Sequence, residues 1–376
     1  MEFRDLKLQY KKNAGMLEDA IATVLERGDY ISGIEVRELE KKLAEYVGVK
    51  HCITCANGTD ALQLALMAWG VGKGDAVFVP DFTFFSTAEV VPCVGATPVF
   101  VDVNKDTYNI SAEELENAIK RVLEENKLTP KVVVAVDLFG QPADYQKIRT
   151  IVDKYGLLLL EDAAQGFGGT QNQKKACGFG DISTTSFFPA KPLGCYGDGG
   201  AIFTDHDQWA EKLRSLKVHG KGKDKYDNLY IGMNSRLDTL QAAILLKKLD
   251  IFDLYELTQC NRVAEKYTEN LMDVVVTPTV SANSTSSWAQ YTIQLQSKEQ
   301  RDHLQYGLKE EGIPSAIYYV KPLHRQQAFA SLNIKDDYLL NACELCDTVL
   351  SLPMHPYLED EEIERICTAV QKYLKG

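Results

Sequence analysis

Lys191 lies in the segment STTSFFPAKPLGCYGDGGAIFTD, between Pro189 and Pro192, where no routine exposed helical lysine would sit. Aromatic, hydroxyl and glycine residues surround it. An amine held in such a crowded, partly desolvated pocket has a lowered pKa and becomes a nucleophile toward carbonyls. The alternative is a loop lysine whose head reaches water. Against it, the GDGG run at 197–200 would let backbone approach a bulky planar ligand closely.

Two further segments carry candidate chemistry. LLLLEDAAQ is a buried apolar run ending on Glu161 and Asp162, and one carboxylate there must face something that compensates its desolvation. A protonated pyridine nitrogen, a metal or a structural arginine would serve, although no histidine lies nearby to complete a metal cluster. ANGTDALQLAL places Asn57, Gly58, Thr59 and Asp60 between a strand and an amphipathic helix, whose free amides and positive dipole end suit a phosphate. Plain capping by Thr59 or Asp60 explains the same residues. Together the three segments meet the requirements of pyridoxal phosphate, with Lys191 as Schiff-base lysine, Asp162 on the ring nitrogen, and Gly58, Thr59 and Asp60 at the phosphate. That chemistry needs no metal.

The elements that must position these residues follow from hydrophobic periodicity. From about residue 50 to 205, short β-rich runs alternate with helical patterns: KHCITC precedes TDALQLALMAWG, PVFVDV precedes SAEELENAIKRVLEE, and VVVAVDL leads to a helix near 145–154. Continuous apolar strands separated by helices predict an α/β layer fold, with a mostly parallel sheet covered on both faces. Ligands of such sheets collect at the C-terminal strand ends, where the candidate residues fall. After GGAIFTD the pattern changes, and a long helical run begins at Asp238. The expected organisation is a large α/β domain over 1–249, with a helical N-terminal segment, and a smaller α+β domain over 250–376.

The chain has 376 residues, and 41 Lys and Arg against 53 Asp and Glu leave a net charge of −12. That balance works against non-specific binding to nucleic acid or to an anionic membrane surface. The one basic stretch, 212–225, is broken by Asp224 and reads as solvated surface. The longest apolar run, 90–101, contains Pro92 and Pro98 and is too short to span a bilayer. A soluble cytoplasmic protein is expected. Nine cysteines are spread from Cys52 to Cys367. The pairs Cys52/Cys55 and Cys343/Cys346 raise a four-thiolate zinc site, but reduced, buried thiols fit better, because Cys52 and Cys55 share a short apolar run with no turn.

The segments NGTDAL, FTFFSTAE, EDAAQ, TSFFPAKPLGCYGDGGAIFT and NSRLDTLQAAIL resemble, over nearly the whole chain, the DegT/DnrJ/EryC1/StrS group of fold-type I, pyridoxal-phosphate-dependent sugar aminotransferases. In detail the chain looks most like the members that aminate UDP-linked 3-oxo-2-acetamido-glucuronate for O-antigen synthesis. The resemblance implies that Phe84 stacks on the cofactor ring, Gln165 contacts its hydroxyl oxygen and Ser186 binds its phosphate. It also implies a homodimer with shared sites, in which Asn234 reaches the neighbouring subunit's phosphate and Arg236 helps hold substrate. Bottom-up, Ser235-x-x-Asp238 is equally a capping box opening the long helix.

Many relatives carry His-Tyr before a Pro-Leu-His element. This chain reads IYYVKPLH, leaving Tyr318 at the histidine position, with Tyr319 and His324 as further candidate substrate contacts. A dehydratase branch replaces the lysine with histidine, so Lys191 favours transamination. The implied reaction is ping-pong: glutamate donates the amino group, and a UDP- or dTDP-linked 3-oxo-hexose accepts it. A 4-keto sugar and a non-catalytic, cofactor-bound regulator are the alternatives. A nicotinamide-dependent sugar dehydrogenase would need G-x-G-x-x-G directly after a strand, and none occurs. No appended helix-turn-helix region or basic face supports a DNA-binding regulator.

Overall fold

The computed structural model describes residues 1–224 and 226–375; Lys225, the end of the basic stretch, and Gly376, the end of the small domain, lie outside the described residues. Two helices open the chain, α1 (Leu6–Arg27) and α2 (Ile34–Val47). There follow β1 (His51–Cys55), α3 (Gly58–Ala68), β2 (Asp75–Pro80), α4 (Ser86–Cys93), β3 (Thr97–Val101), α5 (Ala112–Glu125), β4 (Thr129–Val136), α6 (Tyr145–Tyr155) and β5 (Leu158–Asp162). A small ribbon, β6 (Thr170–Gln171) and β7 (Lys174–Lys175), precedes β8 (Ile182–Ser186), β9 (Gly200–Thr204), α7 (Asp207–Leu216) and α8 (Thr239–Ile251). The rest comprises α9 (Leu257–Leu271), β10 (Ser284–Thr285), β11 (Tyr291–Gln294), α10 (Lys298–Glu310), α11 (Leu340–Thr348), β12 (Val349–Leu352) and α12 (Asp360–Lys375).

Seven strands form the central sheet in the order β1-β9-β8-β5-β4-β2-β3. The run from β8 to β3 is parallel, whereas β9 is antiparallel to both its neighbours. The apolar runs suit this because side chains alternate between faces. Val132, Val134 and Leu160 pack with α3 on one face, while Val133, Ala135 and Leu159 pack with α5 and α6 on the other. Both faces are therefore dry, which is why these strands are continuously apolar rather than alternating.

Two expected caps differ. Asn57 caps α3, its side chain accepting from the Asp60 amide at 2.8 Å, so neither Thr59 nor Asp60 is the cap. The capping box at Ser235 and Asp238 does not form. Asp238 itself takes the cap position of α8 without a side-chain bond, and the Ser235 hydroxyl, three residues upstream, is buried against the Ala56 amide at 3.0 Å. Ser235 thus ties the approach to α8 to the turn after β1.

A π turn at Phe252–Glu256 joins α8 to α9, making one continuous helical rod between two cores. The second core gathers Val263 and Tyr267 of α9, Ile293, Leu304, Leu350 and Ile366. The two-stranded sheet of β11 and β12 lies within it. We propose 1–249 and 250–376 as the two domains, with Leu323, Phe329 and Leu339 returning to the large core. Among the described residues no helix is long and apolar enough to cross a membrane.

Candidate active site

The candidate site forms where β5 and β8 end and where α3 and α4 begin. Strand alternation separates Glu161 from Asp162. Glu161 is buried and accepts from the amides of Cys177 (2.6 Å), Phe179 (2.7 Å) and Gly180 (3.1 Å) and from the Ser183 hydroxyl (2.6 Å). Asp162 points into a cavity of about 960 Å³. The Thr87 hydroxyl donates to Asp162 Oδ2 at 2.9 Å and the Ala164 amide to Oδ1 at 3.2 Å. Burial raises the Asp162 carboxyl above its usual range, with Thr87, Ala164 and the charge of Lys191 opposing.

Lys191 lines the same cavity. Burial lowers its pKa and the charge of Arg4 lowers it further, while Asp162 works in the other direction. An amine that sheds its proton readily and a carboxylate that needs a cationic partner thus share one chamber.

The rim beside α3 is a phosphate-sized cradle. A Cβ at Gly58 would lie 2.7 Å from that of Ser186, and one at Gly200 would lie 2.5 Å from the Asn57 backbone, so the helix start can rest on β8 and β9 only without side chains there. Asn57 occupies the Asp60 amide, whereas the Gly58 and Thr59 amides have no protein acceptor among the described residues. The Thr59 hydroxyl donates to Ser86 at 3.0 Å, and the Ser186 hydroxyl accepts from the Phe188 amide at 3.2 Å, leaving its proton free. Open amides and hydroxyls at a helix N-terminus suit a phosphate dianion.

The remaining walls hold Phe84, Gln165, Tyr318 and Tyr319. Phe84 is 53% exposed, so an apolar ring is left facing the chamber. Gln165 Oε1 accepts from the Phe139 amide at 2.8 Å and its Nε2 donates to the Tyr319 hydroxyl at 3.0 Å, leaving a second N–H available. Burial pushes the Tyr319 hydroxyl pKa up, so it stays protonated.

Three sequence candidates stand apart. Asn234 and Arg236 are not among the residues lining this cavity; Asn234 is exposed and its backbone pairs with Val218. His324 is also outside it. Its Nδ1 lies 2.6 Å from Asp81 and its Nε2 2.7 Å from Asp336, and its amide donates to Asp81 at 2.8 Å. Both ring nitrogens are thereby occupied, and His324 pins the segment after Tyr319 to the turn following β2. Burial disfavours the charged ring, but Asp81 and Asp336 outweigh it, and the pKa rises. The stability this supplies is full below the unfolded histidine pKa and is lost as pH rises through the folded one. His324→Ala should cost about 3 kcal/mol at about pH 6 by removing the charged partner of buried Asp81, which keeps only the residue-324 amide on that side. In urea melts across pH, the gap from wild type should narrow as the pH is raised.

Thr87, Arg4, Lys321 and Gln290 were not legible as site residues in the sequence. Thr87 had only a weak signal, its four-residue spacing from Thr83, which lies ahead of α4 rather than on it; their hydroxyls come within 3.3 Å. Arg4 had none.

A lysine amine and a buried carboxylate in one chamber, beside an anion cradle, fit a pyridoxal-phosphate enzyme of the aminotransferase class. The chain belongs to the DegT/DnrJ/EryC1/StrS aminotransferase family, whose family model matches residues 13–371, and its cofactor is pyridoxal phosphate. It is 46% identical to the UDP-2-acetamido-2-deoxy-3-oxo-D-glucuronate aminotransferase of Pseudomonas aeruginosa, covering 98% of this chain and 99% of that one. It is 40% identical to a pleiotropic regulatory protein of Geobacillus stearothermophilus, covering 99% and 98%. The crystal structure of a DegT/DnrJ/EryC1/StrS aminotransferase from Brucella abortus superposes with a TM-score of 0.97 at 50% identity, covering 100% of both chains.

Proposed function

We propose that this enzyme transfers an amino group from L-glutamate to the C3 keto group of a UDP-linked hexose of the 2-acetamido-glucuronate type, in the cytoplasm, during cell-surface polysaccharide synthesis. The observation that carries the aminotransferase reading is the shared chamber of Lys191 and Asp162. The 46% identical relative, matched almost end to end, supports the substrate class.

Pyridoxal phosphate, when bound, supplies a carbonyl carbon that takes up amines and a ring that draws off electron density. The open amides of Gly58 and Thr59, with the Ser186 hydroxyl opposite, would hold its phosphate, and Asp60 stands in the same turn with its amide taken by Asn57. Phe84 would cover one face of the ring, and the free N–H of Gln165 would be the donor for the ring hydroxyl oxygen. Asp162 would keep the ring nitrogen protonated, and the cation there would in turn relieve the cost of burying Asp162. Lys191 Nζ takes the proton from the donor α-carbon and delivers one to the sugar carbon that receives nitrogen. Tyr318 and Tyr319 form the wall that meets the sugar, and His324 holds that wall in place.

Asn234 and Arg236 serve the partner's chamber in a homodimer, which accounts for their absence from their own. In mixed dimers, Lys191→Ala subunits combined with Asn234→Ala subunits should show activity that neither parent has, because one of the two sites then keeps both residues. Activity equal to the sum of the parents would remove the shared site.

The regulator reading draws on the name of the 40% identical relative. Incubating the enzyme and glutamate with UDP- and dTDP-linked 3-keto and 4-keto sugars, scored by mass spectrometry of the amino sugar, separates the two. A UDP-linked 3-keto sugar should be the best acceptor. No amine from any sugar would favour the regulator, and a preferred 4-keto sugar would move the reaction to the adjacent carbon.

A further inference from the structure

Just ahead of α1, Arg4 reaches the loop that carries the catalytic amine. Its guanidinium donates to the main-chain carbonyl of Lys191 at 3.0 Å and to that of Pro192 at 3.4 Å. Arg4 is half-buried, and among the described residues no carboxylate lies within ion-pair distance of it. Its place is set from both sides. Asp5 caps α1 by accepting from the Leu8 amide at 2.8 Å, and the Phe3 carbonyl accepts from the Met354 amide at 3.0 Å. The Phe3 ring meets Tyr318 edge-on at 6.2 Å. The segment before α1 therefore touches both the lysine loop and the small-domain wall.

We propose that Arg4 is a positioning residue for Lys191: it fixes the lysine's own main chain and brings a positive charge, with no carboxylate partner among the described residues, to the loop that carries the amine. The inference rests on the reading of Lys191 as the cofactor-bonding lysine. Asp162, from the end of β5, and Arg4 act most directly on Nζ, while Asp60 of α3, Asp198 of the glycine run, Lys321 and the Tyr318 and Tyr319 hydroxyls line the same chamber. Asp162 favours the protonated amine and Arg4 the neutral one, and only the neutral amine can attack a carbonyl. A hydrogen-bond tether alone would not need the charge, since a neutral donor at this position could hold the same carbonyls.

The test strips the full-length protein of cofactor and measures the rate at which pyridoxal phosphate becomes fixable at Lys191 by borohydride, read by peptide mass spectrometry across pH. Arg4→Gln keeps a donor without the charge, and Arg4→Lys keeps the charge without the fork; Arg4→Met replaces Arg4→Gln should that variant not fold. With the charge gone, capture near neutral pH should slow by roughly three- to tenfold. The gap should close at alkaline pH, where the amine is neutral in every variant, and Arg4→Lys should recover most of the rate. A wild-type profile in Arg4→Gln, a deficit of equal size at every pH, or no recovery in Arg4→Lys would overturn the role of the charge. Lys191→Ala serves as the separate control: label fixed elsewhere in that variant would overturn the reading of Lys191 and leave Arg4 without a target.

Discussion

Lys191→Ala should keep its fold and lose at least about a thousandfold in turnover, because in the proposed mechanism one side chain supplies both the covalent anchor and the proton carrier. No neighbour can stand in. The charged residues lining the chamber are Asp60, Asp162, Asp198, Lys191 and Lys321, and Lys321 lies exposed on the small-domain side, beyond Tyr319 and Val320. Stability should be unchanged or slightly higher, since the substitution removes an amine whose burial disfavours its charge. An added small amine should restore part of the proton transfer in the vacated space. The check is turnover with and without such an amine, alongside thermal melting. Retention of more than about a tenth of wild-type turnover would mean that another base carries the reaction.

Asp162→Asn should give the second largest effect, with opposite signs for activity and stability. The Ala164 amide can still donate to the remaining oxygen, and the Thr87 hydroxyl can turn to accept from the new NH2, so geometry is largely kept and the charge is lost. Without that charge the ring nitrogen loses its proton, and turnover should fall by roughly a hundred- to thousandfold. Burial holds the Asp162 carboxyl above its usual pKa, so its contribution to stability is full below the unfolded value and is lost as pH rises through the folded one. At neutral pH the cofactor-free protein carries that cost. Cofactor-free Asp162→Asn should therefore melt higher than cofactor-free wild type by about 2 °C, with the difference vanishing in acid. Equal melting at neutral pH would show that Asp162 is compensated before the cofactor arrives.

Much of the fold could be read from the chain because burial on two faces leaves a coarse mark. VVVAV and LLLL have no polar alternation, and such runs are stable only between two helical layers. Lys191 was legible for a related reason: its flanking prolines deny it an ordinary helical role. Asp162 was named from the sequence as the ring-nitrogen partner, but nothing in the sequence said what the neighbouring Glu161 would meet. A shift of one position along the strand decides which carboxylate meets amides and which meets the chamber. The Ser235 and Asp238 spacing fits a capping box, yet a tertiary bond from Ala56 takes the Ser235 hydroxyl first. His324 and Arg4 depend on segments that meet only after folding. Asp81 lies 243 residues from His324, and Lys191 lies 187 from Arg4, so no local pattern could join them.

In the proposed mechanism the Lys191 amine, which shares the chamber with Asp162, bonds to the cofactor's aldehyde. Reducing the cofactor-loaded enzyme with borohydride, digesting it and sequencing the modified peptide tests that bond directly. A pyridoxyl group is expected on Lys191 and on no other lysine, with none fixed in Lys191→Ala. A pyridoxyl group on a different residue, or a loaded enzyme that releases all its cofactor after reduction, would contradict it.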